Sequence, residues 1–381
     1  MTAKGLVAFT LLLAINLLFA YKYTARVTDL AGYVTVLMGA FYISVWTFRG
    51  KIPVSGKQFR LASYITLIIF TGFSLLVFSR VPVESLNVDR WSVIASFWEA
   101  FFDSRYPYYA ESNVGNPPGP MPFYFILAFP FYYAGELGLL SLMGLILFTF
   151  IIIGSKAHVN NKLGTLIIMV ASLFYLWEIV ARSNVFLNST LVLLVLVWFA
   201  ELDKKPGPGF FANAFCGGLL LATRSVFIIP YMIFFVYALR TGMISFRNLA
   251  LYGLTGLAAF AIAFMPFVIS HFDDFLVINP FVIQSTFLVP FHYTAGFLLL
   301  AVLAAFLCRS KADAFLYSGI VLFVSIAVYF LYHTALSGLQ AAYIESIVDI
   351  SYFIFAAPFL LYYLLKYSSK FPVRKGISKS S

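Results

Sequence analysis

Long runs of apolar residues, separated by short polar segments, occupy almost the whole chain. A helix needs roughly 20 apolar residues to cross a bilayer, and several of these runs are shorter. The pattern therefore predicts an all-α polytopic membrane protein with roughly 11 to 13 transmembrane or re-entrant helices. The predicted spans are residues 5–21, 30–48, 61–78, 122–134, 137–153, 163–180, 185–200, 210–222, 226–239, 249–269, 295–308, 314–331 and 348–365.

The composition supports a membrane protein and excludes an ordinary soluble domain. Of the 381 residues, 62% are hydrophobic and 10% are charged, whereas soluble domains carry about a quarter charged residues. A net charge of +10 would suggest a nucleic-acid partner in a soluble protein. Here the basic residues lie in short loops and in the tail, so we interpret them as topology signals and predict no nucleic-acid partner.

The Lys and Arg clusters set the predicted orientation, because basic loops stay in the cytoplasm. The outer-face loops are then residues 80–121, 182–188, 271–294 and 333–346. Residues 1–366 form one predicted transmembrane domain, with 80–121 as its catalytic loop, and residues 367–381 form a cytoplasmic basic tail. One crossing must fall between residues 118 and 153, where a short hairpin and a re-entrant segment both fit. The basic clusters are Arg49, Lys51, Lys57 and Arg60; Lys204 and Lys205; Arg240 and Arg247; Arg309 and Lys311; and Lys366, Lys370, Arg374, Lys375 and Lys379.

Residues 80–121 stand out because they hold five of the fifteen acidic residues. Residues 91–103 within them have helical periodicity, with Trp and Phe on one face and Ser, Glu and Asp on the other. The pattern predicts an amphipathic helix that lies flat at the membrane interface, with its aromatic side chains among the lipid headgroups. Asp89 immediately precedes this helix, so it would be held near the membrane surface and face water.

This loop has the residue types for chemistry on a membrane-bound sugar donor. A carboxylate such as Asp89 can take the proton of an acceptor hydroxyl, and arginines suit a phosphate leaving group. An ordinary solvated loop is the alternative interpretation. Arg224 lies at the tip of a predicted hairpin made by residues 210–222 and 226–239. An arginine within the membrane thickness is costly unless it lines a wet cavity or meets an anion.

The arrangement resembles the GT-C superfamily of integral membrane glycosyltransferases. The resemblance rests on early spans, a long first outer loop with an acid near its start, an interfacial helix, Tyr106-Pro107-Tyr108 and a Pro-Pro entry to the next span. It implies an enzyme that takes a sugar from a polyprenyl-phosphate donor, with Asp89 at the position of the family's catalytic acid. Gly217-Gly218 through Arg224 is similar to the family's Gly-Leu-Ala-x-x-Lys/Arg turn.

The predicted function is transfer of a sugar to a glycan, lipid or protein acceptor at the outer face of a prokaryotic plasma membrane. The loop lacks the family's tight Asp-x-Asp or Asp-Glu pair, so the cofactor prediction lies between none and a divalent cation, Mg²⁺ or Mn²⁺, and no residue is assigned as a metal ligand. A non-catalytic transporter, flippase or polymerase of lipid-linked glycans is the alternative. Asp89 is the predicted catalytic residue, and the predicted substrate-binding residues are Arg90, Asp103, Arg105, Tyr106, Tyr108, Arg182, Asn184, Arg224 and His292.

Two further patterns carry weaker expectations. Glu178 and Arg182 are four residues apart, which predicts an ion pair along one helix. His271, Asp273 and Asp274 could bind a metal, but their spacing matches no hard-metal motif, and a solvated loop end is the other interpretation.

Overall fold

The computed structural model describes residues 2–49, 53–86, 88–287 and 289–367, and within these ranges the regular elements are helices without any strand. Seventeen α-helices follow one another within the described residues. The first nine are α1 (Ala3–Ala25), α2 (Ala31–Phe48), α3 (Gly56–Arg80), α4 (Ser92–Phe102), α5 (Pro122–Tyr133), α6 (Leu139–Gly154), α7 (Val159–Val170), α8 (Leu173–Val180) and α9 (Val185–Glu201). The others are α10 (Pro208–Leu221), α11 (Ile228–Arg240), α12 (Phe246–Val268), α13 (Phe272–Val277), α14 (Pro280–Phe287), α15 (Phe291–Leu307), α16 (Lys311–Ser337) and α17 (Ala357–Tyr367). Short 3₁₀-helices are Val83–Ser85, Pro107–Tyr109, Ser225–Phe227 and Ile350–Ala356, and Gln340–Ile344 forms a π-helix.

Five of these helices are long and apolar enough to cross a membrane, and a sixth crossing results if the bent pair α7 and α8 is one span. Large apolar side chains remain exposed on these helices, as at Val36 of α2, Ile68 of α3 and Leu254 of α12. Such extensive apolar surface is unstable in water and stable against lipid chains. The prediction of a multi-pass, all-helical membrane protein is therefore confirmed.

The predicted span over residues 163–180 is not one straight helix, because the chain bends by 49° between α7 and α8. Asn16 of α1, fully buried, explains the break. Its side-chain oxygen accepts a hydrogen bond from the Leu173 backbone N–H at 2.9 Å, and the Ser172 hydroxyl donates to the Ile168 carbonyl at 2.6 Å. Side chains thus satisfy backbone groups that a straight helix would have paired, as a break inside a membrane requires.

One end of the bundle carries the basic loops, and we call it the basic end. Lys311, at the start of α16, donates a hydrogen bond to the Ala200 carbonyl near the end of α9. Asn248, in the first turn of α12, donates to the Lys204 carbonyl at 2.9 Å. Loops that are distant in sequence therefore meet at this end, as the shared orientation of their charges predicts.

Three of the four loops predicted for the outer face meet at the opposite end, which we call the loop end. Arg182 donates to the Val81 carbonyl at 2.8 Å, which joins the α8–α9 turn to the loop after α3. Gln284 of α14 donates to the Gly119 carbonyl at 2.7 Å. The polar segments of the chain are therefore gathered at the end opposite to the basic loops.

Helix α5 begins and ends at the loop end. At its start, the Met121 N–H donates to the Thr223 carbonyl at 2.9 Å. Just after its end, Glu136 lies 3.6 Å from Arg182. Helix α6 then runs to the basic end, where Lys162 donates to a carbonyl of its last turn at 2.9 Å. The crossing left open between residues 118 and 153 is therefore α6, and α5 is not a separate span.

Helix α4 matches the predicted amphipathic helix, but its apolar face packs against protein. Ile94, Phe97 and Trp98 are buried. The Phe97 ring stacks on Phe125 of α5 with centroids 3.7 Å apart, and the Trp98 N–H donates to the Phe125 carbonyl at 3.2 Å. The expectation that these rings lie among lipid headgroups is wrong, because α5 covers them; Phe102 remains exposed.

Helices α10 and α12 approach very closely through glycines. A methyl group added at Gly218 would lie 1.9 Å from the Gly256 carbonyl oxygen. Small residues allow such backbone contact, which drives helix association in membranes. Gly217 packs against the Tyr252 hydroxyl in the same interface. The glycines that resemble a family turn therefore serve helix packing here, and they fix the hairpin whose tip carries Arg224.

Candidate functional site

Arg90 ties the loop after α3 to the segment before α17. Its side chain is 8% exposed and forms an ion pair with Asp349. The same guanidinium nitrogen donates to the Ser351 hydroxyl at 2.9 Å, and its carbon lies 5.3 Å from the centroid of the Tyr352 ring. A buried guanidinium needs an acidic partner and hydrogen-bond acceptors, and this segment supplies both.

Local structure explains why Asp349 faces Arg90. The Asp349 side chain caps the 3₁₀-helix Ile350–Ala356, since its Oδ1 accepts from the Ser351 N–H at 2.8 Å, which leaves Oδ2 for the guanidinium. Lys22, buried in the last turn of α1, donates to the Val348 carbonyl at 3.4 Å. The Asp349 side chain is therefore fixed by its own helix, and the backbone beside it is fixed by α1.

Arg224 sits in an aromatic pocket at the tip of the α10–α11 hairpin. Its guanidinium carbon lies 5.1 Å from the ring centroid of Tyr124, 5.6 Å from Phe355 and 5.8 Å from Tyr352. It forms no ion pair with any residue that the structure describes, and its buried Nε has no hydrogen-bond partner there. The guanidinium groups of Arg90 and Arg224 thus both lie near the Tyr352 ring. Of the two, only Arg90 has an acidic partner among the described residues.

The hairpin tip is fixed to the loop that carries Asp89. The Ser225 N–H donates to Gln284 Oε1 at 3.2 Å, and the Gln284 amide in turn donates to the Gly119 carbonyl at 2.7 Å. A single amide side chain therefore bridges the residue after Arg224 and the end of the 80–121 loop.

Asp89 precedes Arg90 in the chain and is half-buried. Its Oδ2 accepts a hydrogen bond from the Asn116 side chain at 2.9 Å, and its carbonyl accepts from the Val93 N–H at 3.0 Å in the first turn of α4. Burial acts to lower the pKa of the neighbouring Arg90, but Tyr352 and Asp89 outweigh it and raise that pKa above the ordinary value. The carboxylate is therefore oriented by an amide and lies next to a permanent positive charge.

Tyr124, in the first turn of α5, connects two more predicted residues. Its hydroxyl interacts with the side chains of Asn184 and Arg224, and it also feels the charge of Arg90. Asn184 is buried at the start of α9. The structure therefore brings together Arg90, Arg224 and Asn184, which come from three separate parts of the chain, and Asp89 is the neighbour of Arg90 in sequence.

Arg182 lies elsewhere, with its guanidinium already occupied. It donates to the carbonyls of Val180 at 3.0 Å, Phe78 at 3.2 Å and Val81 at 2.8 Å, and it pairs with Glu136 at 3.6 Å. Burial lowers the pKa of Arg182, which Glu136 partly opposes. Through these contacts Arg182 connects the end of α3, the end of α8 and the α5–α6 turn, which is a structural role.

The expected ion pair between Glu178 and Arg182 does not form. The chain leaves helical geometry before Arg182, which has a φ of +51°. Glu178 instead accepts hydrogen bonds from the Ser183 hydroxyl at 2.8 Å and from the Val185 and Phe186 N–H groups at 2.8 and 3.0 Å. A buried carboxylate thus caps α9, where the unpaired N–H groups of a helix start favour a negative charge.

The two tyrosines of the Tyr106-Pro107-Tyr108 segment are buried. The Tyr106 hydroxyl donates to the Ile278 carbonyl at 2.9 Å, and the Tyr108 hydroxyl donates to the Pro120 carbonyl at 3.2 Å. Both rings belong to the small core beneath α4. These contacts hold the loop in shape and leave the substrate-binding role of the two tyrosines a prediction.

The remaining predicted residues lie at the surface and make no contact with the arginine cluster in the described structure. Asp103 and Arg105 form an exposed ion pair at 2.9 Å, each side chain being 64% exposed. His292 is exposed at the start of α15 and lies 4.6 Å from the Tyr293 ring. It borders an apolar cavity of about 380 Å³ between α15 and α16, which Val328 also lines.

The carboxylates at the site do not fit a divalent cation. Across the described ranges, no group of three or more His, Cys, Asp or Glu side chains lies close enough to hold a metal ion. Asp89 and Asp349 flank Arg90, whose positive charge occupies the place a cation would need. His271 contacts Asp274 at 3.2 Å as a simple pair. We therefore derive no step through a metal.

Sequence reasoning missed Asp349, Tyr352 and Tyr124. All three fall within stretches read as membrane spans, residues 348–365 and 122–134, in which a lone acid or tyrosine looks like part of an apolar helix. An acid inside a predicted span is rare and usually functional, so Asp349 was the one signal that could have pointed to this segment.

Comparisons with known proteins give this chain no relative. No family model matches it, and no curated protein and no solved structure is similar to it. The functional conclusion therefore depends on the geometry of the loop end.

Proposed function

We propose that this protein is a glycosyltransferase that moves a sugar from a polyprenyl-phosphate donor to an acceptor at the outer face of a prokaryotic plasma membrane. The observation that carries the proposal is the Arg224 charge, which is surrounded by aromatic rings and lacks an acidic partner among the described residues. It lies near the Tyr352 ring, which Arg90 also approaches, at the end of the bundle where the polar loops gather.

The arginines favour a phosphate-bearing substrate. An isolated guanidinium in a low-dielectric environment is unfavourable unless an anion compensates it. A phosphate can accept two parallel hydrogen bonds from one guanidinium, and the three rings around Arg224 hold the plane of that group. Arg90 already has Asp349 as a partner, so Arg224 is the primary phosphate ligand and Arg90 adds positive potential.

Asp89 would act as the general base. Its carboxylate takes the proton of the acceptor hydroxyl, and the hydroxyl oxygen bonds to the anomeric carbon as the bond between that carbon and the phosphate oxygen breaks. The leaving phosphate keeps the electron pair, and Arg224 stabilises its charge. Asn116 orients the carboxylate through the 2.9 Å hydrogen bond.

The test is sugar transfer by the purified full chain in proteoliposomes that contain a polyprenyl-phosphate sugar. We expect Asp89→Asn to bind the donor and to lose transfer. Glu111→Gln is the matched control, since Glu111 is an exposed acid of the same loop. If Asp89→Asn and the parent both bind the donor and neither transfers sugar to any acceptor, the result favours the alternative, a non-catalytic carrier of lipid-linked glycans.

A further inference from the structure

We infer that a cavity at the basic end binds the phosphoryl headgroup of an anionic membrane lipid. The cavity has a volume of about 380 Å³ and is formed by the α9–α10 loop, the α11–α12 loop and the start of α16. Lys204, Lys205, Lys311, Ser245 and Asn248 are among the residues that line it. It lies at the opposite end of the bundle from Asp89 and Arg224, so the inference is independent of the proposed activity.

Three lysines and two acids, Glu201 and Asp203, line this cavity, so its lining carries one net positive charge. Lys204 is 8% exposed, and its ammonium group donates to the Phe199 and Leu202 carbonyls at the end of α9. Lys311 donates to the Ala200 carbonyl. Neither lysine forms an ion pair with an acid of the described chain. Both ammonium groups are held by neutral acceptors only, so their charges remain available to an anion.

The two lysines also repel each other. Burial, followed by the charge of Lys311, lowers the pKa of Lys204 to about 8. Asp203 and Glu201 act in the opposite direction but more weakly, and Asp203 accepts a hydrogen bond from the Lys205 N–H at 3.2 Å. A phosphoryl group between the ammonium groups would replace this repulsion with two charge-assisted hydrogen bonds.

Two long helices point their positive ends at the same cavity. Ser245 is the N-cap residue of α12, and Lys311 is the first residue of α16. The first turn of a helix carries a partial positive charge. At these two helix starts, Ser245 and Ser310 already cap the Asn248 and Asp313 N–H groups. The two helix starts add positive potential to that of the lysines. The carbonyls at the end of α9, which carry partial negative charge, are already bonded to Lys204 and Lys311.

The position of the cavity favours a lipid over a soluble phosphate. Phe246, next to Ser245, is 79% exposed, and Leu254 and Leu257 continue an exposed apolar face along α12. A lipid whose headgroup enters the cavity could lay its acyl chains along this face. Basic pockets between membrane helices at the cytoplasmic side are suited to anionic headgroups.

The experiment measures lipid affinity by native mass spectrometry of the purified full chain. The probes are dioctanoyl phosphatidylglycerol, dioctanoyl phosphatidylcholine and glycerol 3-phosphate. We expect the phosphatidylglycerol to bind more tightly than the other two. Lys311→Gln and Lys205→Gln should each weaken it about fivefold, the effect of one basic residue near a membrane surface.

Lys57→Gln is the matched control, because Lys57 is an exposed basic residue of α3 outside the cavity. This variant should bind phosphatidylglycerol as tightly as the parent does. Lys204→Gln is a further variant. Because Lys204 also bonds to the end of α9, this variant can fail to fold, and the test then rests on Lys311→Gln and Lys205→Gln. Equal weakening by Lys57→Gln would overturn the inference, as would equal affinity for both lipids. Binding of glycerol 3-phosphate as tight as that of the lipid would replace the lipid with a soluble ligand.

Discussion

The lysines of the basic-end cavity and the two arginines near Tyr352 hold their positive charges in different ways. At the basic end, lysines bond to backbone carbonyls at helix ends, as Lys311 does with Ala200. At the loop end, Arg90 is buried against an acid and Arg224 is enclosed by aromatic rings. The first arrangement serves orientation in the membrane and helix capping. The second places Arg90 in a buried ion pair and leaves Arg224 beside aromatic rings without an acid among the described residues, an arrangement that favours an anionic ligand for Arg224.

The largest effect should come from removing the carboxylate at the loop end. We expect Asp89→Asn to lower the rate of sugar transfer by about 10²–10⁴-fold, because an amide cannot accept the acceptor proton. The measurement is transfer rate at saturating donor. Near-normal transfer by this variant would exclude Asp89 as the base and direct attention to Asp349, the other acid beside Arg90.

The next largest effect should be on donor binding, and it should differ between an arginine of the loop end and one of the basic end. Arg224→Ala should weaken donor binding by about 1.5–3 kcal/mol, which is about ten- to a hundredfold, since a charged contact to phosphate is lost. Arg224→Lys should recover part of the affinity. The positive charge remains in this variant, but the planar guanidinium that can donate two parallel hydrogen bonds to phosphate is lost. Arg247→Ala, at an exposed site of the basic end, is the control and should leave the KM for the donor unchanged. A KM for Arg224→Ala equal to that of the parent would refute the phosphate assignment.

A third prediction tests the helix contact that positions the hairpin tip. Gly218→Ala should lower the free energy of unfolding by about 1–3 kcal/mol, because the new methyl group meets the Gly256 backbone and the helices must separate. Gly253→Ala of α12 is the control, since no atom lies within 4 Å of its added methyl group. Thermal unfolding in detergent measures both. Equal melting temperatures for the two variants would show that the close approach does not limit stability.

The last prediction concerns which end faces the cell exterior. Single cysteines at Ser55, near the basic end, and at Ser85, at the loop end, should differ in their reaction with a membrane-impermeant thiol reagent on intact cells. We expect labelling of Ser85→Cys and protection of Ser55→Cys, in a background without Cys216 and Cys308. The reverse pattern would invert the orientation of the protein.

The sequence predicts the elements of this fold better than the contacts between them. Apolar length identifies α1, α2 and α3 because a membrane span requires it. The break between α7 and α8 could not be predicted, because its stability depends on Asn16, a residue more than 150 positions away. The apolar face of α4 was identified correctly, but the sequence does not say that α5 covers it.

Some residues of the candidate site are noticeable in the sequence, but their arrangement is not. Asp89 and Arg224 are noticeable because each is a charge beside apolar runs. That Arg90 and Arg224 share one aromatic ring depends on Tyr352, which looks like an ordinary residue of a span. Arg182 and Tyr108 carry the same local signals as the clustered residues, and their structural contacts become visible only in three dimensions.

The bond between Arg90 and Asp349 has a consequence for the biogenesis of the protein. The two residues are 259 positions apart, and ribosomes add about 5–20 residues per second. Tens of seconds of translation therefore pass between the emergence of Arg90 and that of its acid. During this interval the early loop lacks its acidic partner, so the contact that anchors Arg90 forms only after the last helices have been made.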